Sequence, residues 1–159
     1  MINVVVQGLG FVGSAMATVV SSKLDSSGVP LFNVIGLDQN NFIGNKRVKS
    51  INKGIFPFDT NDEKLKKEIL SAHLRGNLKA STDFDSFSKA NVIIVSINCD
   101  LDNNKSISPK IKINQFITGI EQIADNMSEG TLLIIESTVP PGMCEKIIYP
   151  KIVEVFKKR

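Results

Sequence analysis

The chain has 159 residues, 42% hydrophobic and 22% charged, with a formal net charge of +3, a balance that suits one domain with its own core and excludes a disordered segment. Acidic and basic residues are interspersed, which argues against nucleic acid as a partner, and the terminal Lys157-Lys158-Arg159 reads as a solvated helix end. Apolar runs such as Leu132–Ile135 are too short to span a membrane, the N-terminus enters a strand pattern without a signal peptide, and Cys99 and Cys144 have no C-x-x-C spacing, so the expectation is a cytoplasmic protein without membrane association, disulfide framework or bound metal.

The run Asn3-Val4-Val5-Val6 predicts a β-strand, and Gly8-Leu9-Gly10-Phe11-Val12-Gly13 follows it as a G-x-G-x-x-G turn. In such a turn the first glycine allows a tight bend, the second lets backbone amides approach a pyrophosphate, and the third lets a helix pack closely on the strand. Ser14 to Val20 reads as that helix, whose unpaired N-terminal amides and dipole favour an anion. A glycine turn alone is weak grounds for a ligand, so the next element matters. Phe32 to Leu37 predicts a second strand ending in Asp38, an acid placed to accept hydrogen bonds from the adenosine ribose diol of a dinucleotide. A carboxylate there repels a 2′-phosphate, so NAD is expected rather than NADP. The interval from Gly13 to Asp38 exceeds the usual ~20 residues, and Asp25-Ser26-Ser27-Gly28-Val29-Pro30 accounts for the excess as an enlarged loop.

Further along, Gln39 to Lys46 reads as a polar loop, followed by a short helical stretch near Val48 and Ile51 and a turn at Lys53-Gly54. Asp62 to Leu70 has the charge interleaving of an amphipathic helix, with Leu65, Ile69 and Ala72 turned inward and His73 at its surface. Leu78 to Ser81 predicts a short strand, and Thr82 or Asp83 caps a brief helix through Phe84, Phe87 and Ala90. Val92 to Ile97 has the composition of a buried strand. The polar loop Asn98 to Pro109 follows, and Ile113, Phe116, Ile117, Ile120 and Ile123 then recur at helical spacing. A fifth strand, Thr131 to Glu136, leads into Ser137-Thr138-Val139-Pro140-Pro141-Gly142, which the two prolines hold extended, and then a final helix ends near Lys157. Ser137 and Thr138 fit either a helix-capping pair or hydroxyls that meet a phosphate or the nicotinamide-side ribose. Alternating strands and helices predict an α/β fold of Rossmann type, a doubly wound, mainly parallel sheet flanked by helices, with residues 1–159 as a single NAD-binding domain. Ligands of such sheets sit at the carboxyl ends of the strands.

These segments resemble the NAD-binding domain of the UDP-glucose, UDP-N-acetylmannosamine and GDP-mannose dehydrogenase family, over essentially the whole chain. The most specific element is Glu136-Ser137-Thr138-Val139-Pro140-Pro141-Gly142, which matches the family's E-S-T-V-P-P-G, and Gly8 to Gly13 matches its G-x-G-[YF]-V-G. Arg47-Val48-Lys49-Ser50-Ile51-Asn52-Lys53-Gly54 resembles R-[IV]-x-x-[LI]-N-x-G, which implies that Arg47 helps hold the adenosine half of NAD. Its distance from Asp38 is longer than usual, so Lys46 competes for that role. Ile97-Asn98-Cys99-Asp100 falls where the family has V-[PN]-T-P, a segment whose backbone lies along the cofactor; here Cys99 and Asp100 replace threonine and proline, which is expected to weaken the grip of this loop. Ile55 to Thr60 keeps the proline, Pro57, but lacks the E-P-G-L continuation common in the family.

The resemblance implies an oxidoreductase that uses NAD to oxidise the C6 alcohol of a UDP- or GDP-sugar to the carboxylate, for polysaccharide or lipopolysaccharide precursors. It also implies that the cysteine nucleophile, the sugar contacts and the helix of the homodimer interface lie downstream of this domain. Neither Cys99 nor Cys144 fits the nucleophile's place, so the expectation is a fragment or truncated product with cofactor-binding residues and no catalytic ones. A different NAD-dependent dehydrogenase of the 3-hydroxyacid type, and a stand-alone nucleotide-binding module, are the alternatives.

Overall fold

Alternate residues of β1 (Ile2–Gln7) enter two separate cores, which makes it the middle of the molecule. The computed structural model describes residues 1–99, 101–102, 110–111 and 113–159. Among them β1 pairs in parallel with β2 (Phe32–Leu37) on one side and β4 (Val92–Val95) on the other. β2 pairs in turn with β3 (Leu78–Ser81). A two-residue antiparallel ribbon joins β5 (Leu101–Asp102) to β6 (Lys110–Ile111) outside this sheet. β7 (Leu132–Ile135) pairs with β4 and completes a five-stranded parallel sheet of order β3-β2-β1-β4-β7. The fold is the Rossmann-type α/β arrangement expected.

Helices α1 (Phe11–Ser21) and α3 (Glu63–Arg75) cover one face, where Ala17, Leu65 and Ile69 pack on Val4, Val6 and Val34. The other face is covered by α4 (Ile113–Asn126), whose Phe116, Ile120 and Ile123 meet Val5, Ile93 and Val95, and by α5 (Tyr149–Lys158) behind it. From β1 the chain winds outward through β2 and β3, then returns to place β4 on the opposite flank. That reversal opens a crevice above the carboxyl ends of β1 and β4.

Several boundaries differ from expectation. Helix α2 (Phe42–Ile51) occupies half of the predicted loop, because Asn41 Oδ1 accepts a hydrogen bond from Gly44 N at 2.9 Å and caps an earlier start. Asp83 rather than Thr82 caps the 3₁₀ turn Phe84–Lys89, its Oδ1 accepting from Asp85 N at 3.0 Å. β4 ends at Val95, since beyond Ser96 N, which donates to Gln7 O at 2.8 Å, the chain turns over the sheet edge. The last helix opens as a wide π-type turn over Cys144–Ile148 and continues into α5. Two surface assignments need correction. Arg159 Nη1 donates to the carbonyls of Ala124 (2.9 Å) and Met127 (2.8 Å) at the end of α4, so part of the basic tail caps a helix. His73 is half-buried, its side chain packed over Gly54. Asp100, expected to weaken the loop after β4, lies outside the described residues, as does most of that polar loop. No helix among the described residues is long and apolar enough to cross a membrane.

Candidate functional site

The turn between β1 and α1 is built by exclusion of side chains. Gly8 has φ +93°, and a Cβ on it would stand 2.5 Å from Ser96 O; a Cβ on Gly13 would stand 1.8 Å from Gly8 O. Both positions therefore demand glycine for packing. Gly10 differs, for a Cβ there would meet nothing within 4 Å, so it faces open space. Leu9 anchors the turn, its fully buried side chain filling the room left by Gly36 of β2. Ser14 reinforces it by donating from Oγ to Leu9 O at 3.0 Å.

Gly10 is the N-cap of α1 and supplies no capping side chain. Ser14 N donates to Gly10 O at 2.9 Å, the first bond of the helix, so the amides of Phe11, Val12 and Gly13 precede the helical ladder. Together with the helix dipole they create a positive pole beside the open space at Gly10.

Asp38, at the end of β2, is buried yet fully oriented. Its Oδ1 accepts from Gln39 N at 2.8 Å and its Oδ2 from Arg47 Nη1 at 3.1 Å. Each carboxylate oxygen retains a lone pair for a hydroxyl donor. Arg47 arrives there because α2 starts early and because Gly44 rests on the Gln39 carbonyl, where a Cβ would stand 2.0 Å from the oxygen. Lys46 is exposed, and of the two cations it is Arg47 that reaches Asp38. Behind Arg47 stands an aromatic group missed in the sequence. Its guanidinium lies 5.3 Å from the centre of the Phe58 ring, which contacts Phe56 at 5.9 Å and Phe11 at 5.8 Å. Pro57 lies between two of these rings, and the aromatic spacing around it was the available signal.

The crevice has a volume of about 550 Å³, within the range of small-molecule and cofactor sites. Of the expected residues, Gly8, Leu9, Gly10, Asp38, Arg47, Ile97 and Asn98 line it. Phe11, Val12 and Gly13 stand at its edge as the first turn of α1. Cys99, Ser137, Thr138 and Val139 do not line it. Ser137 Oγ donates to Val95 O at 3.2 Å, Val139 packs against the core beneath α4, and Thr138 is exposed. The opposite wall comes from Asn114, Gln115, Thr118 and Gln122, one uncharged polar stripe of α4. Its helical spacing is visible in the sequence once the apolar positions are removed. The floor includes Gln7, whose Oε1 is buried without a hydrogen-bond partner. Among the described residues no group of histidines, cysteines or carboxylates suits a metal ion.

Comparison with known proteins gives the family and the fold. Residues 2–159 match the model of the UDP-glucose/GDP-mannose dehydrogenase family, NAD binding domain. The chain is similar to the UDP-N-acetyl-D-mannosamine dehydrogenase of Methanocaldococcus jannaschii, 32% identical over 150 residues, covering 91% of this chain and 30% of that protein. It is similar also to the UDP-N-acetyl-D-glucosamine 6-dehydrogenase of Pseudomonas aeruginosa, 27% identical over 151 residues, covering 94% of this chain and 30% of that one. The fold superposes on the crystal structure of NDP-N-acetyl-D-galactosaminuronic acid dehydrogenase from Methanosarcina mazei with a TM-score of 0.83, 22% identity, and coverage of 98% of this chain and 31% of the other. The chain thus spans about 30% of the length of the curated relatives it matches.

Proposed function

Since the chain belongs to the UDP-glucose/GDP-mannose dehydrogenase family, matching its NAD-binding domain over residues 2–159, we propose that it holds NAD in the crevice above β1 and β4 and serves a nucleotide-sugar 6-dehydrogenase. The observation that carries the reading is the turn itself. Gly8 and Gly13 are closed by backbone while Gly10 opens onto an uncapped helix N-terminus. A cradle of that shape fits a diphosphate and leaves no room for a side chain at either flanking glycine.

The amides of Phe11, Val12 and Gly13 hold the diphosphate, and Asp38 accepts from the hydroxyls of the adenosine ribose. Arg47, pinned between Asp38 and Phe58, keeps that carboxylate oriented. Because its guanidinium is already committed to Asp38, Arg47 is not available to a 2′-phosphate, and the site selects NAD over NADP. Ile97 and Asn98 line the same crevice. Cys99, Ser137, Thr138 and Val139 belong to the carboxyl rim and reach a dinucleotide only through their backbone or after rearrangement of the loops. When bound, NAD supplies the hydride acceptor. The names of the relatives support a UDP-linked N-acetylhexosamine as the sugar, with the C6 alcohol as the group oxidised. A cytoplasmic location and synthesis of polysaccharide precursors go with this reading.

Calorimetric titration of the folded chain is expected to give saturable binding of NAD and at least roughly tenfold weaker binding of NADP, the loss set by a carboxylate facing a phosphate. Asp38→Ala is expected to weaken NAD and erase the preference. A folded chain that gives no NAD response overturns the proposal.

A further inference from the structure

A guanidinium has several N–H donors in one plane, and among the described residues Arg47 engages a single acceptor, Nη1 donating to Asp38 Oδ2 at 3.1 Å. One hydrogen bond fixes one point of a planar group and leaves the rest free to swing about it. The second restraint is the ring of Phe58, over which the guanidinium carbon stands 5.3 Å from the centroid. Side-chain exposure of 29% leaves solvent beside the arginine, so the ring is what takes the swing away.

That ring is in turn set by the turn after β1. Pro57 stiffens the backbone between Phe56 and Phe58. Phe56 belongs to the core beneath α1 and α3, and its ring lies 5.9 Å from that of Phe58 and 5.5 Å, edge to face, from that of Phe11. Phe58 closes the triangle at 5.8 Å from Phe11, the first residue of α1. The ring of Phe58 therefore stands between the helix start whose amides are assigned to the diphosphate and the Asp38–Arg47 pair assigned to the ribose, without lining the crevice itself.

Resting on the NAD reading, we propose that Phe58 is a positioning residue that selects NAD over NADP by holding Arg47 on Asp38. The 2′-phosphate of NADP is carried on a ribose hydroxyl, so it arrives beside Asp38 and within one side chain's reach of Arg47. An arginine free to turn meets that phosphate with paired N–H donors and offsets its repulsion by the carboxylate. An arginine held by the ring leaves the repulsion standing.

The test is calorimetric titration with NAD and with NADP of the parent, of Phe58→Leu, which keeps apolar bulk and removes the π face, and of Phe58→Tyr, which keeps that face. Phe58→Leu is expected to narrow the preference for NAD by a factor of about two to five, the fold-change that one cation–π contact at a partly covered site provides. NAD weakens as Asp38 loses a fixed partner, and NADP weakens less or gains. Phe58→Tyr is expected to keep the parental ratio. On an Arg47→Ala background, Phe58→Leu is expected to leave the ratio where Arg47→Ala alone sets it, because the ring acts only through the guanidinium. Phe58→Met repeats the measurement should the leucine variant fail to fold. A parent without preference, equal loss of both dinucleotides in Phe58→Leu, a tyrosine variant that behaves like the leucine one, or a further shift on the Arg47→Ala background overturns the assignment while the NAD reading stands. Absence of any NAD response from the folded parent overturns the NAD reading together with it.

Discussion

Single residues at the turn have separable duties, which the spaces around them make measurable. Gly10→Ala places a methyl where nothing lies within 4 Å, so the ligand-free protein should melt within about 2 °C of the parent, as for substitutions that touch no special feature. NAD affinity should nevertheless fall at least roughly tenfold, because the methyl occupies the approach of the diphosphate. Gly13→Ala drives a methyl to 1.8 Å from Gly8 O, a backbone atom that cannot give way. That variant should lose stability by about 2–4 kcal/mol or more through displacement of α1 from the turn. Thermal melting and calorimetry of the pair decide the matter: equal loss of stability in both variants would contradict the assigned geometry. Asp38 shows the limit of residue-scale reading. Its place at a strand end was legible, but its partner was not, since Arg47 lies nine positions further on and reaches it through a helix start that only Asn41 and Gly44 explain.

Elements are held in register by side chains that act like backbone. Asn52, just after α2, accepts from Ala80 N at 2.7 Å and donates to Ala80 O at 2.8 Å, so it completes the edge of β3 as a further strand would. Removing it in Asn52→Ala leaves both groups of a half-buried strand edge to water or to nothing. The expected loss is about 1–3 kcal/mol, read as a lower urea midpoint at unchanged slope. At the other end of the sheet, Glu154 of α5 accepts from Lys158 (2.6 Å) and Lys151 (3.1 Å), and Lys151 also reaches Glu121 of α4 at 3.1 Å. The hydrogen bond from Lys158, then that from Lys151, holds the Glu154 carboxyl below the usual carboxylate range. The hydrogen bond to Glu154, then that to Glu121, raises Lys151 above the usual ammonium range. Glu154 therefore stabilises the fold at pH above its unfolded-state value, and the contribution disappears as pH falls through its lowered folded value. Lys151 contributes below its unfolded-state value and loses that contribution as pH rises through its raised one. These groups are exposed or only partly covered, so the effect is small and salt-sensitive. The melting difference between the parent and Glu154→Gln should be present at neutral pH and low salt and vanish in acid or at high salt. A difference that persists in acid would contradict the network.

At the scale of the molecule, β1 sits between two cores and sends the chain to opposite flanks on either side, and that reversal is what makes a crevice. Much of this was legible without coordinates. The consecutive valines of β1, the glycine turn, the apolar faces of α3 and α4 and the alternation of element types are local requirements of backbone and burial, and each resolves within one or two turns of chain. The loop from Gln39 to Lys46 was not legible as helix, because its polar composition conceals a cap and a close glycine contact. Ser137 illustrates the opposite case: its motif pointed to a ligand, yet its hydroxyl turns back to the Val95 carbonyl, a bond between strands that sequence spacing does not encode. Gln7 is the sharpest instance, since a glutamine at a strand end is unremarkable until both ladder neighbours prove apolar and its acceptor proves orphaned.

The sequence by itself determined the parallel α/β architecture, the glycine turn at Gly8–Gly13 and the acid at Asp38, because steric limits on φ and ψ and the burial of strand and helix faces act over short stretches of chain. Tertiary structure alone decided that Arg47 and Phe58 buttress Asp38, that the amides of α4 face it across one crevice, and that Gln7 lies unsatisfied between them. These depend on distances between residues far apart in the chain, and such distances are set when the packed faces of separate helices and strands meet.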